Sequence, residues 1–233
     1  GILSGDDPLC VEFDAYMTKT ADTPADCGAV ALYNGDFASG TGILGGAGGS
    51  LAFARGDHNA IPPAGRIRSN AVEIDIWDGG AGSNDPPGYG ANAATNGDWH
   101  SAISINEEEQ SHQNMVEFGV TSLFPLVNAP DGAHIEMYYA PIEGTTMALI
   151  ETYVTPNDGS LPRTKTGAGL GPKLDTDIWL AVMGATGGAN ATFEIDNLQA
   201  GVVTCPPKDS FVRGDADGSG AIDITDGIFI LAW

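Results

Sequence analysis

The sequence predicts an all-β chain folded as an antiparallel sandwich or jelly roll. Three observations carry that expectation. Short segments with strand patterning recur along the first 200 residues, Gly and Pro are plentiful between them, and no stretch there holds a helical period. Many short strands joined by glycine-rich turns bury their apolar faces most simply by stacking two antiparallel sheets.

The expected strands run in order. Cys10–Met17 alternates apolar and polar residues, as a half-buried strand does, and Ala29–Tyr33 is a short apolar run. Ser50–Ala54, Ala71–Trp77, Ser101–Ile105 and Met115–Val120 follow, each bounded by Gly, Asn, Asp or Pro. His134–Ala140, Met147–Thr155, Ile178–Gly184 and Ala191–Leu198 complete the set. The segment Asp78–Trp99 is too long for a turn, and loops of that length usually carry function. Trp99 and Trp179 read as core residues, and His58, His112 and His134 as surface or packing residues without a partner at ligand spacing.

Composition bounds the function. With 31 acidic and 9 basic residues the formal charge is −22, so nucleic acid is excluded as a partner: phosphate binding needs clustered Lys and Arg. Part of that acidity suits hard divalent cations, which prefer carboxylate oxygens. No apolar run approaches the ~20 residues a membrane-spanning helix requires. Cys10, Cys27 and Cys205 match no zinc spacing; a Cys10–Cys27 disulfide suits an extracellular setting and leaves Cys205 to pair outside the chain. A first residue other than Met, with no signal peptide, reads as a processed secreted protein.

Domain organisation follows from a change in composition. Residues 1–200 form the sandwich, 201–212 a Pro-containing linker, and 213–233 a distinct appendage. In the appendage, Asp215, Asp217, Ser219, Asp223 and Asp226 take positions 1, 3, 5, 9 and 12 of an EF-hand-like loop. Gly220 stands where the turn needs positive φ, and Ala221 offers its carbonyl at position 7. The apolar run Gly227–Trp233 reads as the first turns of a helix that continues beyond Trp233. Asp rather than Glu at position 12, with little chain ahead of the loop, resembles a single dockerin repeat. That resemblance implies a calcium ion and docking to a cohesin-like module or to copies of the chain itself.

Across residues 10–200, six segments in order resemble the L-type, or legume-type, lectin family. They are Ala25-Asp-Cys-Gly-Ala-Val-Ala-Leu, Gly48-Gly-Ser-Leu-Ala-Phe, Asn70-Ala-Val-Glu-Ile-Asp-Ile-Trp and His100-Ser-Ala-Ile-Ser-Ile-Asn. Asp177-Ile-Trp-Leu-Ala-Val-Met-Gly-Ala-Thr-Gly-Gly and Phe193-Glu-Ile-Asp-Asn-Leu close the series. The resemblance implies a concanavalin-like β-sandwich that binds a glycan or polysaccharide and catalyses nothing. It implies calcium held by Asp75, the Trp77 carbonyl, Asn84 and Asp85, and a second, transition-type ion held by Glu73, Asp75, Asp85 and His100. It further implies that Asp26, the Gly49 amide and Asn84 converge on sugar hydroxyls.

Two other readings compete. Glu73-Ile-Asp-Ile-Trp-Asp resembles the catalytic strand of laminarinase-like glycoside hydrolases, but Asp78 is one methylene shorter than the expected acid/base Glu. Retaining hydrolysis needs its carboxyls about 5–5.5 Å apart, so that difference counts against an enzyme. The leftover Cys205, the Pro-rich tether and the calcium loop would also suit a structural subunit of an extracellular fibre, sheath or adhesin.

The 215–226 spacing generates a direct prediction. Isothermal calorimetry on the double variant Asp215→Ala, Asp223→Ala should register one calcium-binding event fewer than the wild type. Equal stoichiometry in the two would remove the loop assignment.

Overall fold

The computed structural model describes residues 3–19, 27–35, 68–75, 100–105, 131–159, 162–185 and 191–202. By internal contacts the chain separates into the units Gly1–Val202 and Val203–Trp233, and all described residues belong to the first. The appendage loop, the Asp78–Trp99 segment, and the expected strands Ser50–Ala54 and Met115–Val120 lie outside the described residues.

Ten described strands build two antiparallel sheets: β1 (Leu3–Ser4), β2 (Leu9–Lys19), β3 (Cys27–Tyr33), β4 (Ser69–Asp75), β5 (His100–Ile105), β6 (Ala133–Pro141), β7 (Met147–Pro156), β8 (Thr164–Pro172), β9 (Thr176–Ala185) and β10 (Ala191–Val202). The front sheet has the order β1-β9-β3-β4-β5 and the back sheet β10-β2-β6-β7-β8. The fold is the concanavalin-like β-sandwich. β1 and β8 were not among the expected strands. Thr164-Lys-Thr-Gly-Ala-Gly-Leu-Gly-Pro has the composition of a loop, because glycine weakens strand propensity. Gly167 serves the packing instead: a side chain there would start 2.8 Å from Thr152 Oγ1 and 3.2 Å from Ile103 Cδ1.

Alternation decides what each strand buries. In β2 the odd positions Leu9, Val11, Phe13, Ala15 and Met17 enter the core, and Glu12, Asp14 and Tyr16 take the other face. Across the sandwich they meet Val30, Leu32, Val72, Ile74, Ile103 and Ile178 of the front sheet, together with Ile135, Met137, Tyr139, Ile150 and Val154 of the back sheet. Each fully buried Leu, Ile or Phe contributes about 1.5–3 kcal/mol. The polar pair Thr152–Thr166 is tolerated in this interior because the two hydroxyls hydrogen-bond each other at 3.0 Å.

The front sheet buries its second face as well. Ala29, Ala31, Tyr33, Ala71 and Met183 form a separate cluster there, with the Tyr33 hydroxyl 3.6 Å from Met183 Sδ. This two-sided burial is why Ala29–Tyr33 reads as an unbroken apolar run. Trp179 departs from expectation: it pairs in register with Tyr33 on that face and is 48% exposed, not core.

The Cys10–Cys27 disulfide is not made. Cys10 is buried in β2 of the back sheet as a thiol, on the face turned from the core. Cys27 opens β3 of the front sheet, beside Gly28, where a side chain would start 2.5 Å from the Phe193 ring. Phe193 pairs with Met17, so Cys27 belongs with the far end of β2, seven residues and ~23 Å along the strand from Cys10. A disulfide needs Cα atoms within about 7 Å.

The two sheets are joined where the chain crosses from β8 to β9. The Tyr139 hydroxyl donates to the Gly5 carbonyl and accepts from the Leu174 amide, each at 2.9 Å. Asn34 Oδ1 accepts from the Asp175 amide at 2.6 Å, and Asn70 Nδ2 donates to the Pro172 carbonyl at 3.0 Å. Arg68 binds the Lys173 carbonyl at 3.0 Å and pairs with the Asp175 carboxylate. Arg68 first, and Asn34 second, hold that carboxyl below its usual range.

Tyr139 is therefore a rivet whose ring belongs to the core and whose hydroxyl closes a junction. Tyr139→Phe should keep the fold but strand two buried backbone groups, lowering the unfolding free energy by about 1–3 kcal/mol in urea titrations. An unchanged midpoint would show that the junction is held without it.

Candidate functional site

β3, β4 and β5 lie side by side in the front sheet, and Val30, Leu32, Val72, Ile74 and Ile103 turn into the core between the sheets. The register of that pairing determines which polar residues meet. Asp75 is directly opposite His100 on β5 and directly opposite Cys27 on β3. Cys27 in turn faces Ala185 of β9. One step inward, Glu73 stands between Ala102 and Ala29, and Ala29 faces Met183. Residues directly opposed on antiparallel strands share a face, with Cβ atoms about 4.5–5.5 Å apart. Asp75 and His100 therefore stand at paired backbone positions at one end of β4 and β5, two residues along the strand from buried Glu73.

Glu73 is 5% exposed, an acid buried among alanines and methionine. A carboxylate is carried into such surroundings only with compensating partners, and Glu73 does engage other groups there. Two carboxylate residues beside an imidazole residue form a donor set suited to divalent ions: oxygen for calcium, nitrogen and oxygen for a transition ion. Of the residues expected at this site, the pairing brings Glu73, Asp75 and His100 together. Asp26, Gly49, Trp77, Asn84 and Asp85 lie outside the described residues, as do Asp215, Asp217, Ser219, Ala221, Asp223 and Asp226 of the appendage.

A second polar group was missed by sequence reasoning. On the outer face of the back sheet, β2 and β6 set Glu12 opposite Glu136 and Asp14 opposite His134. His134 Nδ1 lies 3.1 Å from Asp14 Oδ1, and His134 Nε2 lies 3.8 Å from Glu12 Oε2. His134 thus has close partners, contrary to the expectation that it had none. Burial would raise the Asp14 carboxyl, but hydrogen bonds from Asn197, His134 and Asn157 outweigh it and hold the group below its usual range. Glu136 is buried and bound by Arg163 Nε at 2.5 Å and by the Tyr138 hydroxyl. The Arg163 guanidinium stacks 3.6 Å from the Tyr153 ring centre. Burial, then the bond to Glu136, pushes the Tyr138 phenol well above its usual value. The alternation of β2 signalled one polar face, but nothing local ties it to a strand more than a hundred residues away.

No family model and no curated protein matches the chain. Solved structures do. A lectin from Bauhinia forficata in complex with GalNAc is 19% identical, with a TM-score of 0.58 over 84% of this chain and 72% of that one. Basic winged bean lectin with Tn-antigen is 14% identical, with a TM-score of 0.54 over 86% and 75%. The exoplasmic/lumenal domain of VIP36, in a form bound to Ca2+ and Man3GlcNAc, is 9% identical, with a TM-score of 0.51 over 87% and 71%. At these identities the likeness establishes the fold: the sandwich is that of the L-type lectins.

Proposed function

We propose that the protein is a non-enzymatic, calcium-dependent carbohydrate-binding protein of lectin-like design, secreted and tethered by its dockerin-like tail. The observation that carries the reading is the front-sheet corner where Asp75 stands opposite His100 and beside buried Glu73. The structural neighbours include two lectins solved with GalNAc and with Tn-antigen, and a lumenal domain solved with calcium and a mannose-containing glycan. An acidic chain of net charge −22 is well suited to gain order from divalent cations.

In this reading Asp75, the Trp77 carbonyl, Asn84 and Asp85 hold calcium, and Glu73, Asp75, Asp85 and His100 hold a second ion. Calcium supplies positive charge that lets several carboxylates share one corner. Asp26, the Gly49 amide and Asn84 then present acceptors and donors to two sugar hydroxyls, and such paired hydrogen bonds discriminate hydroxyl configuration. Asp75 belongs to a strand hydrogen-bonded on both sides, so part of the site is rigid before any ion arrives. The 213–233 segment, with its own calcium, is the proposed attachment point for a cohesin-like module or for further copies of the chain.

A glycan array probed with multivalent protein in calcium, and again in EDTA, tests the reading. The expected outcome is binding in calcium that EDTA abolishes. On the glycan so identified, Asp26→Ala should cost ~1.5–3 kcal/mol, about a tenfold or greater loss of affinity. Asp75→Ala should behave like EDTA. Absence of any glycan signal in calcium would favour a structural subunit instead. Undiminished binding by Asp26→Ala would place the sugar elsewhere.

A further inference from the structure

We propose that the outer face of the back sheet carries a separate site for a divalent transition ion such as zinc, with Glu12, His134 and Glu136 as ligands. This site lies on the opposite sheet from the front-sheet corner and does not depend on the carbohydrate reading.

The three side chains come from two adjacent strands, and one ligand atom from each lies within 4.8 Å of the other two. A tetrahedral zinc ion with bonds of about 2.0–2.1 Å places its ligands roughly 3.3 Å apart, so closure requires a movement of at most about 1.5 Å. Glu12 can supply it. Its side chain is 36% exposed, and its Oε2 lies 3.8 Å from His134 Nε2. Glu136 is held in place by Arg163 and Tyr138, and each carboxylate oxygen has a further lone pair to offer.

The imidazole is presented in the manner a metal requires. Asp14 lies 3.1 Å from His134 Nδ1, and Asp14 is itself fixed by Asn197 Nδ2 at 2.6 Å and Asn157 Nδ2 at 3.5 Å. With Nδ1–H donated to Asp14, the ring turns the Nε2 lone pair toward the glutamates. A carboxylate behind a histidine in this way orients the ring and raises its basicity as a ligand. The backbone places fixing Asn197 are equally specific: it stands in the left-handed region at φ 53°, where β10 bulges between Asp196 and Gln199.

Charge then demands an occupant. Glu12 and Glu136 are a directly opposed cross-strand pair, an arrangement that like charges disfavour. Arg163 balances Glu136 alone. A divalent ion relieves the repulsion between the two carboxylates, and three convergent ligands with partial exposure suit one, with water completing its shell.

The test is cobalt(II) titration of the full chain, followed by visible absorption and calorimetry, with excess calcium present to fill oxygen-only sites. His134→Gln and Glu12→Gln should each lose one cobalt-binding event relative to wild type, while far-ultraviolet circular dichroism stays unchanged. Asp14→Asn, at the positioning residue, should retain the event with affinity about 10–100-fold weaker. Should either variant fold poorly, the wild-type nitrogen-15 spectrum decides: saturating cobalt should shift or broaden the His134 ring signals. Equal cobalt stoichiometry in wild type and variants, or a His134 ring signal untouched at saturation, overturns the proposal.

Discussion

The crossover from β8 to β9 is the constraint on which the rest of the sandwich depends. Residues 172–175 leave one sheet and enter the other, and their backbone groups are taken up by side chains from both: Tyr139 behind, Asn34, Arg68 and Asn70 in front. A slip of one residue in β9 would turn Ile178 and Leu180 out of the core and bring Trp179 in. β9 pairs with β3, β3 with β4, and β4 with β5. The placement of Asp75 opposite His100 is thus inherited, strand by strand, from hydrogen bonds made at the other end of the sheet.

The two outer faces differ in a way that divides their chemistry. On the front sheet the second face carries Ala29, Ala31, Tyr33, Ala71 and Met183, all buried and apolar, with one buried acid, Glu73, on the same face. On the back sheet the outer face carries Glu12, Asp14, His134, Glu136 and Glu151, knit by hydrogen bonds and ion pairs. Cations from the chain itself are scarce there and throughout. Among the described residues Arg68, Arg163, Lys165 and Lys173 each pair with an acid, Asp175, Glu136, Glu151 and Asp6 respectively. The more exposed of these pairs contribute little to stability. Their consequence is that further neutralisation of a chain at −22 must come from solution ions.

The polar clusters also show why burial and function are coupled here. Glu136 survives in a buried position because Arg163 and Tyr138 satisfy it, and Arg163 in turn is flattened against Tyr153. Removing one member would leave the others uncompensated, so the network locks the side chains of β6 and β7. Rigidity of that kind is what any ligand site on the sheet would draw upon, since ordering is then largely complete before binding.

By itself, the sequence determined the all-β class, most of the described strands, and the residue types from which a metal corner could be made. These are local properties: alternation in Cys10–Met17, the apolar run Ala29–Tyr33, and two carboxylates spaced by two in Glu73-Ile-Asp75 all act within a few residues. Only the tertiary structure decided that Thr164–Pro172 is a strand, that Cys10 and Cys27 lie too far apart to join, and that His134 meets Asp14. Each outcome depends on pairing between residues distant in the chain. β8 is held by its neighbour β7 and by the room Gly167 leaves for Ile103, and not by its own propensity. Cys10 and Cys27 are separated by the length of β2 and by the sheet each belongs to, and His134 reaches Asp14 through the β2–β6 register. Cross-strand register is set by the sum of all core contacts, and no short window of sequence contains that sum.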